Sequence, residues 1–182
     1  MPHQVRIINF DGKIEHMLLK PVDTVDNIAA DDFKMNYYHA MKPLVIKDLA
    51  KQWPAYHKWN WEYFKQIVGD KKVGIYNNIK SDAYTPINKA DDYTNFANYI
   101  DIISKGPAGW RIFLFNIFEH APQLKNDFTW PDHLMKGFVK KYPMLFVGGQ
   151  TSITHMHFDI DLSHILHTQF AGRKKVLLLL ER

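Results

Sequence analysis

The chain has 182 residues, of which 46% are apolar, and this length and composition suit one domain with its own hydrophobic core. It contains no cysteine, which excludes disulfide bonds, thiolate metal sites and a cysteine nucleophile. The formal net charge of +4 comes from scattered lysines and arginines, with no basic leader and no membrane-length apolar run, so we expect a cytoplasmic protein without a membrane or nucleic-acid partner.

The N-terminal 60 residues predict short elements separated by prolines and polar stretches. Loose alternation of apolar and polar residues about an Asp-Gly pair predicts a hairpin, and an apolar run after a proline predicts a buried strand. These elements are a hairpin over residues 5–20, a short helix from Thr24 or Asp26 toward Tyr38, a buried strand over 43–47 and a turn over 53–55.

Two helices with clear apolar stripes are predicted in the middle of the chain. Asn60 is a suitable N-cap for a helix that ends at Gly69, because Trp61, Phe64 and Val68 recur at helical spacing. Asp91 and Asp92 offer caps for a second helix, which Gly106-Pro107 ends. Strands are predicted over residues 72–76 and 111–115, and in the second of them Arg111, Phe113 and Phe115 are expected to share one face.

The C-terminal part predicts mainly strands. We expect a helical turn or two over residues 133–141, a strand over 143–149 with a turn at Gly149-Gln150, and a buried strand over 176–180. Helices early and strands late predict an α+β chain. The chain stops directly after an apolar strand that needs neighbours, so we expect it to be a fragment of a longer protein.

His157 and Asp159 are candidate metal ligands. On a regular strand, side chains two residues apart point the same way, and iron(II) oxygenases use two imidazoles and one carboxylate on one face of the metal. Zinc is the competing metal, with His155 as a third ligand on the same strand face. For His164 and His167 an ordinary polar role is the simpler interpretation.

A cluster of basic residues, Arg173-Lys174-Lys175, follows Gly172. A solvated strand end is the simplest interpretation of any one of these side chains. A lysine that points into a barrel beside a metal would suit a dicarboxylate co-substrate, because an ammonium group pairs strongly with a carboxylate where water is excluded. Alternation places Lys174 on the opposite face from its two neighbours.

Four segments, in the same order along the chain, resemble the JmjC-type, cupin-like oxygenases. That family is built on a double-stranded β-helix, a jelly roll of the cupin kind. The resemblance covers roughly residues 42–182, preceded by an N-terminal extension over 1–41. Its segments are 42–46 with Trp53-Pro54 and Trp61, residues 118–132, Thr154 with 156–159, and residues 168–176.

The resemblance implies an Fe(II)- and 2-oxoglutarate-dependent hydroxylase that acts on a protein side chain or a small molecule. It implies that His157 and Asp159 bind the iron, that Thr154 donates a hydrogen bond to 2-oxoglutarate, and that Lys174 pairs with its distal carboxylate. The second histidine ligand and the last strands of the barrel are then expected beyond Arg182. A non-catalytic cupin-like binding module and a zinc hydrolase are the alternatives.

Overall fold

The computed structural model describes residues 4–8, 14–77, 89–141, 143–155, 157 and 163–178. The chain divides into two compact units. One consists of residues 1–51 with 131–136, and the other of residues 52–130 with 137–182. Within the described residues, no helix combines the length and the apolar character that crossing a membrane requires.

The described residues of the first unit form two pairs of strands and one helical segment. Strands β1 (Gln4–Ile8) and β2 (Ile14–Leu18) pair antiparallel, which confirms the predicted hairpin. The turn between them lies outside the described residues. Strands β3 (Asp23–Val25) and β4 (Leu44–Ile46) pair in parallel, and helix α1 (Ala30–Phe33) between them continues into a π-helical turn, Lys34–Tyr38.

The predicted start of the first helix was wrong. Thr24 lies in β3, and the helix begins only after Ala29, although it does run to Tyr38 as expected. The Asp23 carboxylate accepts hydrogen bonds from Tyr37 and Lys42, which hold the start of β3 against the helical segment. The strand predicted over 43–47 forms, but it is only partly buried, since it pairs with β3 alone.

Helices in the second unit begin at residues whose side chains or backbone geometry favour a first turn. Asn60 caps α3 (Trp61–Val68) as predicted, because its side-chain oxygen accepts the Tyr63 amide at 2.9 Å. The turn predicted over 53–55 is wrong, since Pro54 begins helix α2 (Pro54–Lys58) at a position where proline loses no hydrogen bond. Two short helices follow later in the chain, α5 (Ile117–His120) and a 3₁₀ helix, Pro122–Asp127.

The second long helix, α4 (Phe96–Ser104), starts later than the sequence predicts. Asp91 and Asp92 do not cap it, because strand β6 (Asp92–Asn95) occupies that stretch. The cap is Asn95 instead, whose side-chain oxygen accepts the Asn98 amide at 2.8 Å. The predicted apolar stripe of this helix is confirmed, with Tyr99 fully buried.

A four-stranded antiparallel sheet is the centre of the second unit. It adds β5 (Lys72–Asn77), β7 (Trp110–Phe115) and β8 (Leu145–Gly148) to β6, in the order β6-β5-β7-β8. Strands were predicted at the positions of β5, β7 and β8, and all three are confirmed. The α+β class is therefore confirmed, and the described strands of this unit form an open sheet rather than a closed barrel.

The sheet has two different faces. One packs on α3 and α4, and its buried residues Val73, Ile75, Ile112 and Val147 join those helices in one hydrophobic core. Residues at the alternate positions, including Tyr76, Arg111, Phe113 and Phe146, point to the opposite face, which we call the aromatic face. The full core cluster is Phe64, Val68, Val73, Ile75, Phe96, Tyr99, Ile100, Ile112, Phe115, Ile117, Phe118, Ala121, Leu124 and Val147.

Two C-terminal predictions fail in part or wholly. The helical turns predicted over residues 133–141 are represented by one turn at their start, in which the Pro131 carbonyl accepts from the Leu134 and Met135 amides. No helix follows it, and a glycine at position 137 has a φ of 82°. The described residues of the predicted strand, Val176–Leu178, are exposed and form no strand. None of the described strands pairs with them, so they lack the hydrogen-bonded neighbours that a buried strand requires.

Asp127 is one of the few buried charged residues in the described chain. Because it has two partners, we expect its replacement to lower the stability of the fold measurably. Its carboxylate accepts a hydrogen bond from the indole nitrogen of Trp59 and forms an ion pair with Lys58 Nζ, each at 2.9 Å. We expect Asp127→Ala to lower the free energy of unfolding by about 2 kcal/mol, because the half-buried indole N–H loses its acceptor.

Urea denaturation followed by circular dichroism measures this loss. Asp127→Asn is the matched control, because an amide oxygen can still accept from Trp59, and it should lose clearly less than Asp127→Ala. Equal losses for the two variants would show that the charge, and not the hydrogen bond to the indole, carries the stabilisation.

Candidate functional site

Helix α4 fixes the two strands that lead into the candidate site. The buried Tyr99 hydroxyl lies 2.8 Å from the Val147 carbonyl on β8 and 3.1 Å from the Trp110 carbonyl on β7. A carbonyl only accepts, so the hydroxyl is the donor and shares its proton between the two strands. Burial raises the pKa of Tyr99 far above its ordinary value, so the phenol stays protonated at every physiological pH.

A tight turn after β8 is tied to the start of β7. The Gly149 amide donates to the Trp110 carbonyl at 3.1 Å, and the Ala108 amide donates to the Gln150 carbonyl at 2.9 Å. A Cβ atom at Gly149 would lie 2.7 Å from the Ala108 carbonyl oxygen, so only glycine fits this approach. The predicted turn at Gly149-Gln150 is confirmed, and it sets where the segment with the predicted site residues begins.

Thr154 and His157 follow this turn in an exposed segment without regular strand pairing. The regular strand on which His157 and Asp159 were predicted to share a face is therefore not formed at His157. His157 Nδ1 lies 2.8 Å from the carbonyl oxygen of His155. Because a carbonyl only accepts, Nδ1 carries the proton and Nε2 carries the lone pair, which is the arrangement of a metal-binding histidine oriented by the backbone.

Asp159, the second predicted metal ligand, lies outside the described residues. Among the residues that the structure does describe, no three histidine or acidic side chains come close enough together to hold a metal ion. The tautomer of His157 fits a metal ligand, so the roles of His157 and Asp159 remain predictions. Of the other histidines considered, the ring of His167 packs edge-on against Phe146, with 5.8 Å between the centroids.

Lys174 lies against the same strand as His167. Its ammonium nitrogen is 6.0 Å from the centroid of the Phe146 ring on β8, and Phe146 belongs to the aromatic face. The segment 163–178 is also held at Phe170, whose ring lies 4.7 Å from that of Trp59. The predicted co-substrate lysine therefore lies over a ring of the sheet, although Lys174 is exposed to solvent like its neighbours Arg173 and Lys175.

The aromatic face contains residues that the sequence did not identify as a group. Arg111, Phe113 and Phe115 were expected to share a face, but a register shift between Ile112 and Phe115, with Leu114 at a φ of 58°, separates them. Phe115 turns into the core and stacks on Phe96, while the other two stay on the aromatic face. Tyr76 lies opposite Arg111 across β5 and β7, and no sequence signal short of the strand register could have paired them.

Residues 30–180 match the cupin-like domain family. The chain is 31% identical over 114 residues to JmjC domain-containing protein D of Dictyostelium discoideum, covering 57% of this chain and 25% of that protein. It is 22% identical over 151 residues to lysine-specific demethylase 8 of Xenopus tropicalis, covering 80% of this chain and 33% of that protein.

A third relative is lysine-specific demethylase JMJ21 of Arabidopsis thaliana, which is 27% identical over 159 residues, covering 82% of this chain and 16% of that protein. The chain thus spans a third or less of the length of each of these three relatives. The family match confirms the predicted jelly-roll class with helices ahead of its strands.

Removing the Tyr99 hydroxyl is expected to destabilise the two strands that it joins. We expect Tyr99→Phe to lower the free energy of unfolding by about 1 kcal/mol, because two buried carbonyls lose a donor while the ring volume is kept. Thermal unfolding in a calorimeter measures the change. Tyr56→Phe is the control, since Tyr56 is exposed and should lose nothing. A free energy of unfolding that is the same in Tyr99→Phe as in the wild type would mean that the strands hold their register without the hydroxyl.

Proposed function

The chain belongs to the cupin-like domain family, in its JmjC-type branch, and from this premise we propose that it is an Fe(II)- and 2-oxoglutarate-dependent hydroxylase. One structural observation supports His157 as a metal ligand. His157 Nδ1 donates to the His155 carbonyl oxygen at 2.8 Å, and a backbone hydrogen bond of this kind orients metal-binding histidines. All four predicted site residues also fall within the matched range, residues 30–180.

The proposed roles follow the chemistry of each side chain. His157 and Asp159 would hold the iron, and the Thr154 hydroxyl would donate a hydrogen bond to a carboxylate of 2-oxoglutarate. Lys174 would pair its ammonium group with the distal carboxylate of the same co-substrate, an interaction that also orients it. When bound, the iron supplies oxygen activation coupled to the oxidation of 2-oxoglutarate, and the protein's part is to position both.

We further propose a protein side chain as the substrate class. The names of the relatives support it, since two are lysine-specific demethylases and another is an arginine-specific demethylase, JMJ22 of Arabidopsis thaliana. Demethylation of an N-methyl group by such chemistry begins with hydroxylation of that methyl carbon. The non-catalytic binding module remains the second candidate, because the described residues contain one of the proposed metal ligands and not a complete set.

The proposal predicts iron-dependent conversion of 2-oxoglutarate to succinate by the purified chain. His157→Ala and Asp159→Ala should abolish both the turnover and the bound iron, measured by succinate analysis and by metal content. Lys174→Met should raise the KM for 2-oxoglutarate roughly tenfold, because a charge-assisted contact to the carboxylate is lost. Lys175→Met is the matched control, an exposed neighbouring cation that should leave the KM unchanged.

The outcomes separate the candidates. Iron and 2-oxoglutarate binding without succinate formation would favour the binding module. Zinc retained in place of iron, with hydrolytic activity that depends on His155, would favour the hydrolase. Iron content unaffected by both His157→Ala and Asp159→Ala would contradict the proposed ligands.

A further inference from the structure

The indole of Trp59 connects the hydrophobic core of the second unit to the segment 163–178. Its ring centroid lies 5.6 Å from that of Phe64 and 6.3 Å from that of Phe118, and both of these phenylalanines belong to the core. The same indole lies 4.7 Å from the ring of Phe170. All three separations are within the range of favourable aromatic pairs. Trp59 is therefore a point at which this exposed segment meets the packed core.

Asp127 fixes the orientation of this indole. Its Oδ2 accepts a hydrogen bond from Trp59 Nε1, and its Oδ1 forms an ion pair with Lys58 Nζ, each at 2.9 Å. The Asp127 side chain is only 7% exposed, so little water competes for its oxygens. An indole has a single N–H donor, and a hydrogen bond from it to a buried carboxylate selects one rotation of the ring. The surface on which Phe170 packs is thus held in place by residues outside the segment.

Phe170 is partly buried in a segment that is otherwise exposed. Across residues 163–178, every side chain except those of Thr168 and Phe170 is exposed. The ammonium group of Lys174 contacts the ring of Phe146, which is itself 51% exposed. A contact on an exposed ring removes little surface from water, whereas a phenylalanine packed on a core-bound indole removes much more. The contact between Phe170 and the indole is therefore the stronger attachment of the two.

A compact turn joins this attachment to Lys174. The Gln169 side chain donates a hydrogen bond to the Ala171 carbonyl, and Gly172 has a φ of 72°, in the left-handed region that favours glycine. Lys174 follows Phe170 by four residues. Because the turn between them is short and closed by a hydrogen bond, a displacement of Phe170 is transmitted to Lys174.

We propose that Trp59 and Phe170 are positioning residues for Lys174. Asp127 orients the indole, the indole holds Phe170, and Phe170 holds the part of the chain that carries the lysine. The exposed ammonium group is then placed by an anchor four residues away more than by contacts of its own. The inference rests on the proposed function only where it treats Lys174 as the co-substrate lysine, since the anchoring of the segment is a property of the metal-free chain.

Backbone ¹⁵N relaxation of the purified 182-residue chain tests the anchoring. In the wild type, the amides of residues 168–175 should have order parameters close to about 0.85, the value of rigid backbone, and Phe170→Ala should lower them below about 0.6. Ile165→Ala is the matched control, because Ile165 is an apolar residue of the same segment that is 56% exposed. It should leave the order parameters unchanged. Phe170→Leu, which keeps an apolar side chain on the indole, should regain most of the lost order.

The ring signals of Phe146 report the position of Lys174 without any turnover. In Phe170→Ala they should move away from their wild-type positions in the direction seen for Lys174→Met, because the ammonium group leaves the ring, and in Ile165→Ala they should stay. An unchanged circular dichroism spectrum shows that the variant is folded, and Trp59→Phe, which keeps a ring and loses the hydrogen bond to Asp127, should loosen the segment part of the way. Wild-type order parameters or wild-type Phe146 signals in a folded Phe170→Ala would overturn the inference. Equal loosening by Ile165→Ala would overturn it as well.

Kinetics separate a positioning role from a merely structural one. Phe170→Ala should raise the KM for 2-oxoglutarate by about fivefold, because the charge-assisted contact from Lys174 is misplaced, with kcat and iron content nearly unchanged. A variant with a loosened segment and a wild-type KM would contradict the positioning role. A wild-type chain that forms no succinate, in which Phe170→Ala still loosens the segment and shifts Phe146, would contradict the hydroxylase and support the anchor.

Discussion

The alternation of side chains along β5, β7 and β8 is the constraint on which the second unit depends. Val73, Ile75, Ile112 and Val147 are each at least nine-tenths buried against the two long helices. Burying one such side chain contributes about 1.5–3 kcal/mol, so a slip of one residue in any strand would exchange apolar and charged positions at a large cost. The same alternation sends Tyr76, Arg111 and Phe146 to the other face, so one register sets both the core and the aromatic face.

The irregularity in β7 shows how the two faces are separated. Because Leu114 adopts a positive φ and interrupts the ladder, the strand presents Arg111 and Phe113 to the aromatic face and still returns Phe115 to the core. An uninterrupted strand would place all three on one side. A bulge of this kind redirects a side chain beside a site, and here it gives the core another stacked ring without removing the arginine from the opposite face.

The sequence predicted the elements that depend on neighbouring residues better than those that depend on strand pairing between distant residues. Local signals worked where the cap and the apolar stripe are adjacent, as at Asn60. Strands β5, β7 and β8 were also predicted from their apolar runs. They failed at Asp91 and Asp92, because pairing of β6 with β5 decides that stretch and no local pattern reports it.

The candidate site also combines residues proposed from local motifs with a residue whose position depends on strand pairing. The roles of His157, Thr154 and Lys174 remain predictions from the sequence, and Asp159 lies outside the described residues. The position of Arg111 on the aromatic face, opposite Tyr76 and Gly148, follows from long-range strand register and could not be predicted from the sequence. A side-chain NMR titration of 2-oxoglutarate into the metal-free protein tests the central claim most directly, through the aromatic carbon–proton resonances. The account predicts that Phe146, the ring beneath Lys174, shifts while the core rings Phe64 and Phe96 do not; shifts confined to the core rings, or none at all, would contradict it.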